Sequence, residues 1–193
     1  MSGRFEGKIA LVTGAGAGIG RAVAERLGRE GAGVVVTSRT PAHVEATASR
    51  IEADGGWVAA RRVLDVGEPA AIAEAIADLG RELGRLDVVV NNAGIELPHA
   101  PGPEDVRDEE WDRIFRVNVA GMFRVCRAAI PLIPEGGAIV NIGSISSFVA
   151  WPNDLPYTAS KGAVLQLTRA LAVDLAPRRI RVNCVCPGII DTP

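Results

Sequence analysis

Six short runs of apolar and β-branched residues punctuate the chain: Ile9–Val12, Val34–Thr37, Val58–Leu64, Leu86–Val90, Ala138–Ile142 and Ile180–Val185. Each has the length of a strand. Val34-Val35-Val36 and Val88-Val89-Val90 lack the polar alternation of a sheet with one wet face, so they read as parallel strands covered on both sides. The intervals carry a helical period. Gly20–Glu30, Pro41–Asp54, Glu68–Leu83 and Leu155–Leu175 place apolar residues at helical spacing, and Glu109–Leu132 reads as one long helix stopped by Pro131 and Pro134.

Strand and helix therefore alternate. Right-handed crossovers convert that alternation into an α/β, doubly wound parallel sheet of the Rossmann type with strand order 3-2-1-4-5-6, whose ligands sit at the carboxyl ends of the strands. No repeat, linker or low-complexity tract interrupts residues 1–193, so the sequence is expected to form a single domain.

Composition narrows the partners. Of the 193 residues 48% are hydrophobic, enough for one sizeable core, and 21 basic residues against 23 acidic ones leave a net charge of -2 with no block of like charge. Neither nucleic acid nor membrane is an expected partner. Apolar stretches fall short of a membrane span, and Ile9–Val12 is too brief for the core of a signal peptide, which makes the cytoplasm the expected location. Cys126, Cys184 and Cys186 match no zinc or redox spacing and read as buried reduced thiols. With only His43 and His99 in the chain, a zinc site built by the protein is not expected.

The first strand runs into Thr13-Gly14-Ala15-Gly16-Ala17-Gly18-Ile19-Gly20 and then directly into a helical pattern. Glycines at such a junction let backbone N–H groups approach a pyrophosphate, whose charge meets the positive end of the helix. Gly14, Gly18 and Gly20 are the candidates, with Ile19 beside them. A loop of this kind can also serve packing alone, and only its place between strand and helix raises it. The Gly-Lys-Ser/Thr of a nucleotide-hydrolysing loop is missing.

At the end of the second strand, where an acidic residue would hold the ribose hydroxyls of NAD, no Asp or Glu occurs between Glu30 and Glu45. Ser38 and Arg39 stand there instead. A guanidinium and a hydroxyl suit the 2'-phosphate of NADP, which makes NADP the preferred cofactor and NAD the other possibility.

Tyr157 is the one tyrosine of the chain, and Lys161 follows four residues later on the same face of a helix opened by Pro156. A phenol with an ordinary pKa of ~10 holds its proton too firmly to exchange it near neutrality. A lysine at about 6 Å, in an effective dielectric of ~20, contributes roughly 2.8 kcal/mol and is expected to draw that pKa well down. Ser144, just past the fifth strand, could hold a substrate oxygen while hydride moves to or from a nicotinamide. A Ser-His-Asp hydrolase is disfavoured: Gly143-Ser144-Ile145 is no nucleophile elbow, and neither histidine follows Ser144.

Five separated motifs, TGAGAGIG at 13–20, LDV at 64–66, NNAG at 91–94, Ser144 with YTASK at 157–161, and PGIIDT at 187–192, make the chain resemble the short-chain dehydrogenase/reductase family from Lys8 onward. That resemblance implies a catalytic group of Asn118, Ser144, Tyr157 and Lys161. Tyr157 would be the acid/base and Ser144 would polarise the substrate oxygen. Lys161 would also bind the nicotinamide ribose, and Asn118 would support a proton relay through water. It further implies adenine contacts from Asp65 and Val66, and a ribose flanked by Asn91, Ala93 and Gly94. The nicotinamide end would be held by the Pro187-Gly188-Ile189 turn and Thr192.

The resemblance implies a reductase or dehydrogenase acting on a small carbonyl or alcohol, with general similarity to 3-oxoacyl thioester reductases, and a homo-oligomer (a dimer or tetramer) paired through the long helices. Glu96, Leu97, His99, Ile145, Phe148, Trp151 and Leu155 are the remaining pocket candidates. The sequence stops at Pro193, where the family continues into a lid and a seventh strand, and is expected to belong to a longer protein. A dinucleotide-binding protein without turnover is the alternative.

Overall fold

The strand runs build one sheet whose two faces are both apolar. In β1 (Ile9–Val12) the side chains of Ile9 and Leu11 join one buried cluster with Val35, Val89, Ile139, Ile76, Leu79 and Val125, while Ala10 and Val12 join a second with Val34, Val36, Leu27, Val44 and Ile51. Alternate residues thus serve opposite layers, which is why β1 is apolar at every position. The computed structural model describes residues 3–98 and 101–192; His99 lies outside the described residues.

Six strands follow the order 3-2-1-4-5-6: β1, β2 (Gly33–Ser38), β3 (Trp57–Val63), β4 (Val88–Asn91), β5 (Ala138–Ile142) and β6 (Arg181–Val185). All pairings are parallel, with Leu11 opposite Val35 on one side and Val89 on the other. The doubly wound sheet expected from the sequence is the sheet observed. The order in which strands are added reverses between β1 and β4, so a crevice opens at their carboxyl ends.

The connecting helices are α1 (Gly18–Arg29), α2 (Pro41–Ala53), α3 (Pro69–Leu83) and α6 (Leu155–Leu175). Proline stands in the first turn of α2, α3 and α6, where its missing N–H costs nothing. The expected long helix over 109–132 is composite: α4 (Asp108–Phe115), a π-helical turn over Arg116–Gly121, α5 (Met122–Ala129) and a closing 3-10 turn at Ile130–Leu132. Periodicity could not reveal that interruption, because it is set by contacts to other segments. A side-chain carbon on Gly121 would lie 2.4 Å from the Val66 carbonyl oxygen, so a bare glycine lets the loop after β3 press against the π turn. No helix among the described residues is long and apolar enough to cross a membrane.

Candidate active site

Two cavities lie side by side at the carboxyl edge of the sheet. The first, about 250 Å³, is lined by the glycine loop, by Ser38, Arg39 and His43 beyond β2, by Leu64, Asp65 and Val66 beyond β3, and by Ala93, Gly94 and Ile95 beyond β4. The second, about 340 Å³, shares Gly94 and Ile95 with it and is closed by Ile19, Asn92, Glu96, Ser144, Tyr157, Lys161, Pro187, Gly188, Ile190 and Thr192. A long ligand can therefore run from one into the other.

Thr13 organises the floor where they meet. Its hydroxyl oxygen accepts from the backbone N–H groups of Asn92 (3.0 Å) and Ala93 (3.1 Å), and the Asn92 amide donates to the carbonyls of Thr13 and Gly14, each at 3.1 Å. The loops after β1 and β4 are thereby tied together. Ala15 N–H donates to the Thr37 carbonyl at 2.7 Å, and the Thr47 hydroxyl donates to the Ala15 carbonyl at 2.9 Å, which fixes the loop against β2 and α2.

Inside that frame glycine is a steric necessity. A side-chain carbon on Gly20 would meet the Gly14 carbonyl oxygen at 2.2 Å, and one on Gly16 would meet Ser38 Oγ at 2.7 Å. Gly14 also has a φ of +65°, a left-handed conformation that glycine adopts without a steric penalty. The loop is thus a cradle of bare backbone at the first turn of α1, which fits a dinucleotide pyrophosphate. Arg39 stands exposed at the cavity rim and makes no hydrogen bond or ion pair among the described residues.

In the second cavity Ser144 and Tyr157 line the same wall, and the Ser144 hydroxyl favours the ionised phenol. Ser144 is held by its own turn, its Oγ accepting from Ser146 N–H at 3.0 Å. Lys161 is buried, donates from Nζ to the Ile142 carbonyl at 2.9 Å, and lies 5.4 Å from the centre of the Tyr157 ring. Asn118, in the π turn, gives and takes a hydrogen bond with the main chain of Ile95, at 2.8 Å each, and donates to Ser160 at 3.1 Å. Its amide is fully engaged, so any part in a proton relay is indirect.

The charge balance differs from the sequence-based expectation. Burial pushes the Tyr157 phenol above its ordinary value; the Ser144 hydroxyl opposes this, and the carboxylates of Glu96 and Asp154 add to it. Lys161 is not among the groups that offset that rise, and burial lowers Lys161 itself to about 8. In this state the phenol stays protonated.

Of the expected site residues, Gly14, Ser38, Arg39, Asp65, Val66, Ala93 and Gly94 surround the first cavity, and Ile19, Ser144, Tyr157, Lys161, Pro187, Gly188 and Thr192 the second. Gly18 lies beside Thr192, which a side-chain carbon on it would meet at 3.4 Å. Gly20 and Asn118 line neither cavity but hold the loops that do, Gly20 against Gly14 and Asn118 against Ile95, and two more are placed elsewhere. Asn91 is buried behind the site, donating to Asn141 at 2.9 Å and to Cys126, and Ile189 is 96% exposed. Neighbours take their places, Asn92 and Ile190, as the alternation of side-chain direction along an extended segment requires. His43 and Gly16 were not singled out from the sequence. His43 sits in the first turn of α2, four residues after Arg39, the one positional signal that could have found it.

The sequence pattern of the short chain dehydrogenase family matches residues 8–193. Over 194 residues the chain is 41% identical to a 3beta-hydroxysteroid dehydrogenase of Mediterraneibacter gnavus, an alignment covering 100% of this chain and 70% of that protein. Among solved structures, a short chain dehydrogenase from Burkholderia cenocepacia in complex with NADP superposes with a TM-score of 0.91 at 39% identity, covering 98% of this chain and 77% of that one. Carveol dehydrogenase from Mycobacterium avium in complex with NAD gives 0.90 at 32% identity, covering 96% and 72%. A cradle of bare backbone, a Ser-Tyr-Lys cavity continuous with it, and likeness along nearly the whole sequence agree: this chain belongs to the short chain dehydrogenase family and is an oxidoreductase that interconverts carbonyl and alcohol groups with a nicotinamide cofactor.

Proposed function

We propose that the chain is an NADPH-dependent reductase that converts a ketone or aldehyde to an alcohol, with Tyr157 as the acid. The observation that carries this reading is that the hydroxyls of Ser144 and Tyr157 and the amine of Lys161 line one cavity that opens into the cavity rimmed by Arg39. The cofactor, when bound, supplies the hydride. Ser144 then donates a hydrogen bond to the substrate oxygen, and Tyr157, kept protonated by its burial, hands its proton to that oxygen as negative charge develops there. Lys161, near 8 and therefore largely protonated at neutral pH, stabilises the tyrosinate left behind. Asn118 is a positioning residue that holds the Ile95 backbone on the wall the two cavities share.

Arg39 supports the choice of NADPH: with no acidic partner among the described residues, its guanidinium is available to a 2'-phosphate, and Ser38 lines the same cavity. The segments beyond Ser144 and before Tyr157 expose Phe148 (65%) and Trp151 (51%), which suit a substrate with an apolar body. The reading includes a homo-oligomer joined through the helices at 108–132 and 155–175, where Trp111 stacks on Phe115 with ring centres 4.7 Å apart and Phe123 and Val173 are exposed. Light scattering that finds only monomers would remove that part.

The test is NADPH consumption across a panel of ketones and aldehydes. We expect turnover on at least one apolar carbonyl, and a fall of roughly 10²–10⁴-fold for Tyr157→Phe, the range for loss of a general acid, with NADPH affinity unchanged. A Tyr157→Phe variant that keeps the full rate would remove Tyr157 from the chemistry.

A further inference from the structure

Cys184 lies in β6 and Cys186 just beyond it, a spacing that sends both side chains to one side of an extended segment. Their sulfurs are 3.6 Å apart and both residues are partly exposed, whereas Cys126 is fully buried. Three separate buried thiols, the sequence-based expectation, thus holds for Cys126 alone. The pair rests on Gly143, where a side-chain carbon would lie 2.7 Å from one sulfur and 2.9 Å from the other, so the glycine is what leaves room for both. Burial, with the neighbouring thiol, pushes Cys184 up to about 11 against a smaller opposing effect of Thr168 from α6, so it remains a thiol at neutral pH.

The separation selects a ligand geometry. It is far beyond a disulfide bond of about 2.05 Å. Two thiolate bonds of about 2.3 Å, the length found at zinc, span the observed 3.6 Å at an angle of about 103°. A linear two-coordinate centre would need about 4.6 Å by the same bond length. A tetrahedral metal would need two more protein ligands, and no group of three or more His, Cys, Asp or Glu that could hold a metal ion occurs among the described residues. What remains is a pyramidal, three-coordinate thiophilic centre that brings its own third substituent.

We propose that Cys184 and Cys186 form a dithiol clamp for a trivalent arsenical. With phenylarsine oxide the reaction balances without an oxidant: both S–H bonds break, two As–S bonds form, the As=O bond is replaced and its oxygen leaves as water with the two protons. Arsenic stays trivalent throughout. The two sulfurs lie behind Gly143, which lines the second cavity, but do not themselves line it, and occupation of the clamp does not depend on the function proposed above.

The test is native mass spectrometry of the folded chain after treatment with phenylarsine oxide. One adduct per wild-type chain is expected, stable to a monothiol and removed by dithiothreitol, because only a dithiol can replace a chelate. Cys184→Ser and Cys186→Ser should each lose the adduct. If either serine variant fails to fold, the monothiol-against-dithiol release on the wild-type chain decides. No uptake by the folded wild type, release by the monothiol, or an adduct retained by a folded serine variant overturns the proposal.

Discussion

Asn118 and Ile95 bind each other twice, side chain to main chain, with Ile95 N–H donating to Oδ1 and Nδ2 donating to the Ile95 carbonyl, both at 2.8 Å. The pairing joins the π turn to the loop after β4, so an interruption of the helix and a wall of the active site are one feature. Asn118→Ala removes both bonds and leaves a backbone donor and acceptor unsatisfied. We expect a loss of about 2 kcal/mol in unfolding free energy, read by urea denaturation. A change within error would mean that water replaces the amide without cost.

Lys161 gives a pH signature. Its folded value, about 8, lies below the ordinary 10.5, so between those pH values the unfolded chain holds a proton that the folded chain has released. Stability from this group therefore rises with pH through that window, and below pH 8 the buried charge opposes folding in full. Wild type minus Lys161→Met, followed by denaturation at pH 7 and pH 9.5, should rise on the order of 2 kcal/mol in favour of wild type. A flat difference would place the Lys161 titration at its ordinary value.

Two glycines in helices should respond in opposite directions. A methyl on Gly20 has nowhere to go, with the Gly14 carbonyl oxygen at 2.2 Å and Asn92 Nδ2 at 2.3 Å, whereas one on Gly162 in α6 meets nothing within 4 Å. Gly20→Ala is expected to cost about 1–3 kcal/mol through forced backbone movement and to weaken cofactor binding. Gly162→Ala is expected to gain about 0.5–1 kcal/mol from helix propensity alone. Thermal melts of the two variants check this; equal shifts would contradict the contact geometry.

The fold was legible because strand and helix periods separate cleanly here: β1 and β5 begin and end where the apolar runs do, and the order of pairing follows from alternation and handedness. The composite helix was not, since a π turn is decided by Gly121 against Val66 and by Asn118 against Ile95, neither of which leaves a periodic trace. Spacing alone put Tyr157 and Lys161 on one helical face, but not the direction of their charge effects. That depends on burial, which raises the phenol and lowers the amine at once. Asn91 and Ile189 were each one residue from the position that faces a cavity, because a motif marks a segment while the pleat decides which side chain points inward.

Everything proposed about turnover rests on a dinucleotide lying across the two cavities with its 2'-phosphate at Arg39. Fluorescence titration of NADPH and NADH against the wild-type chain and Arg39→Asp addresses that directly. The account predicts tighter NADPH than NADH binding in the wild type, and a loss of roughly 10–100-fold for NADPH in the variant, the scale of a charge-assisted bond, with NADH affected little. Equal affinities in the wild type, or an NADPH affinity untouched by Arg39→Asp in a folded chain, would contradict it.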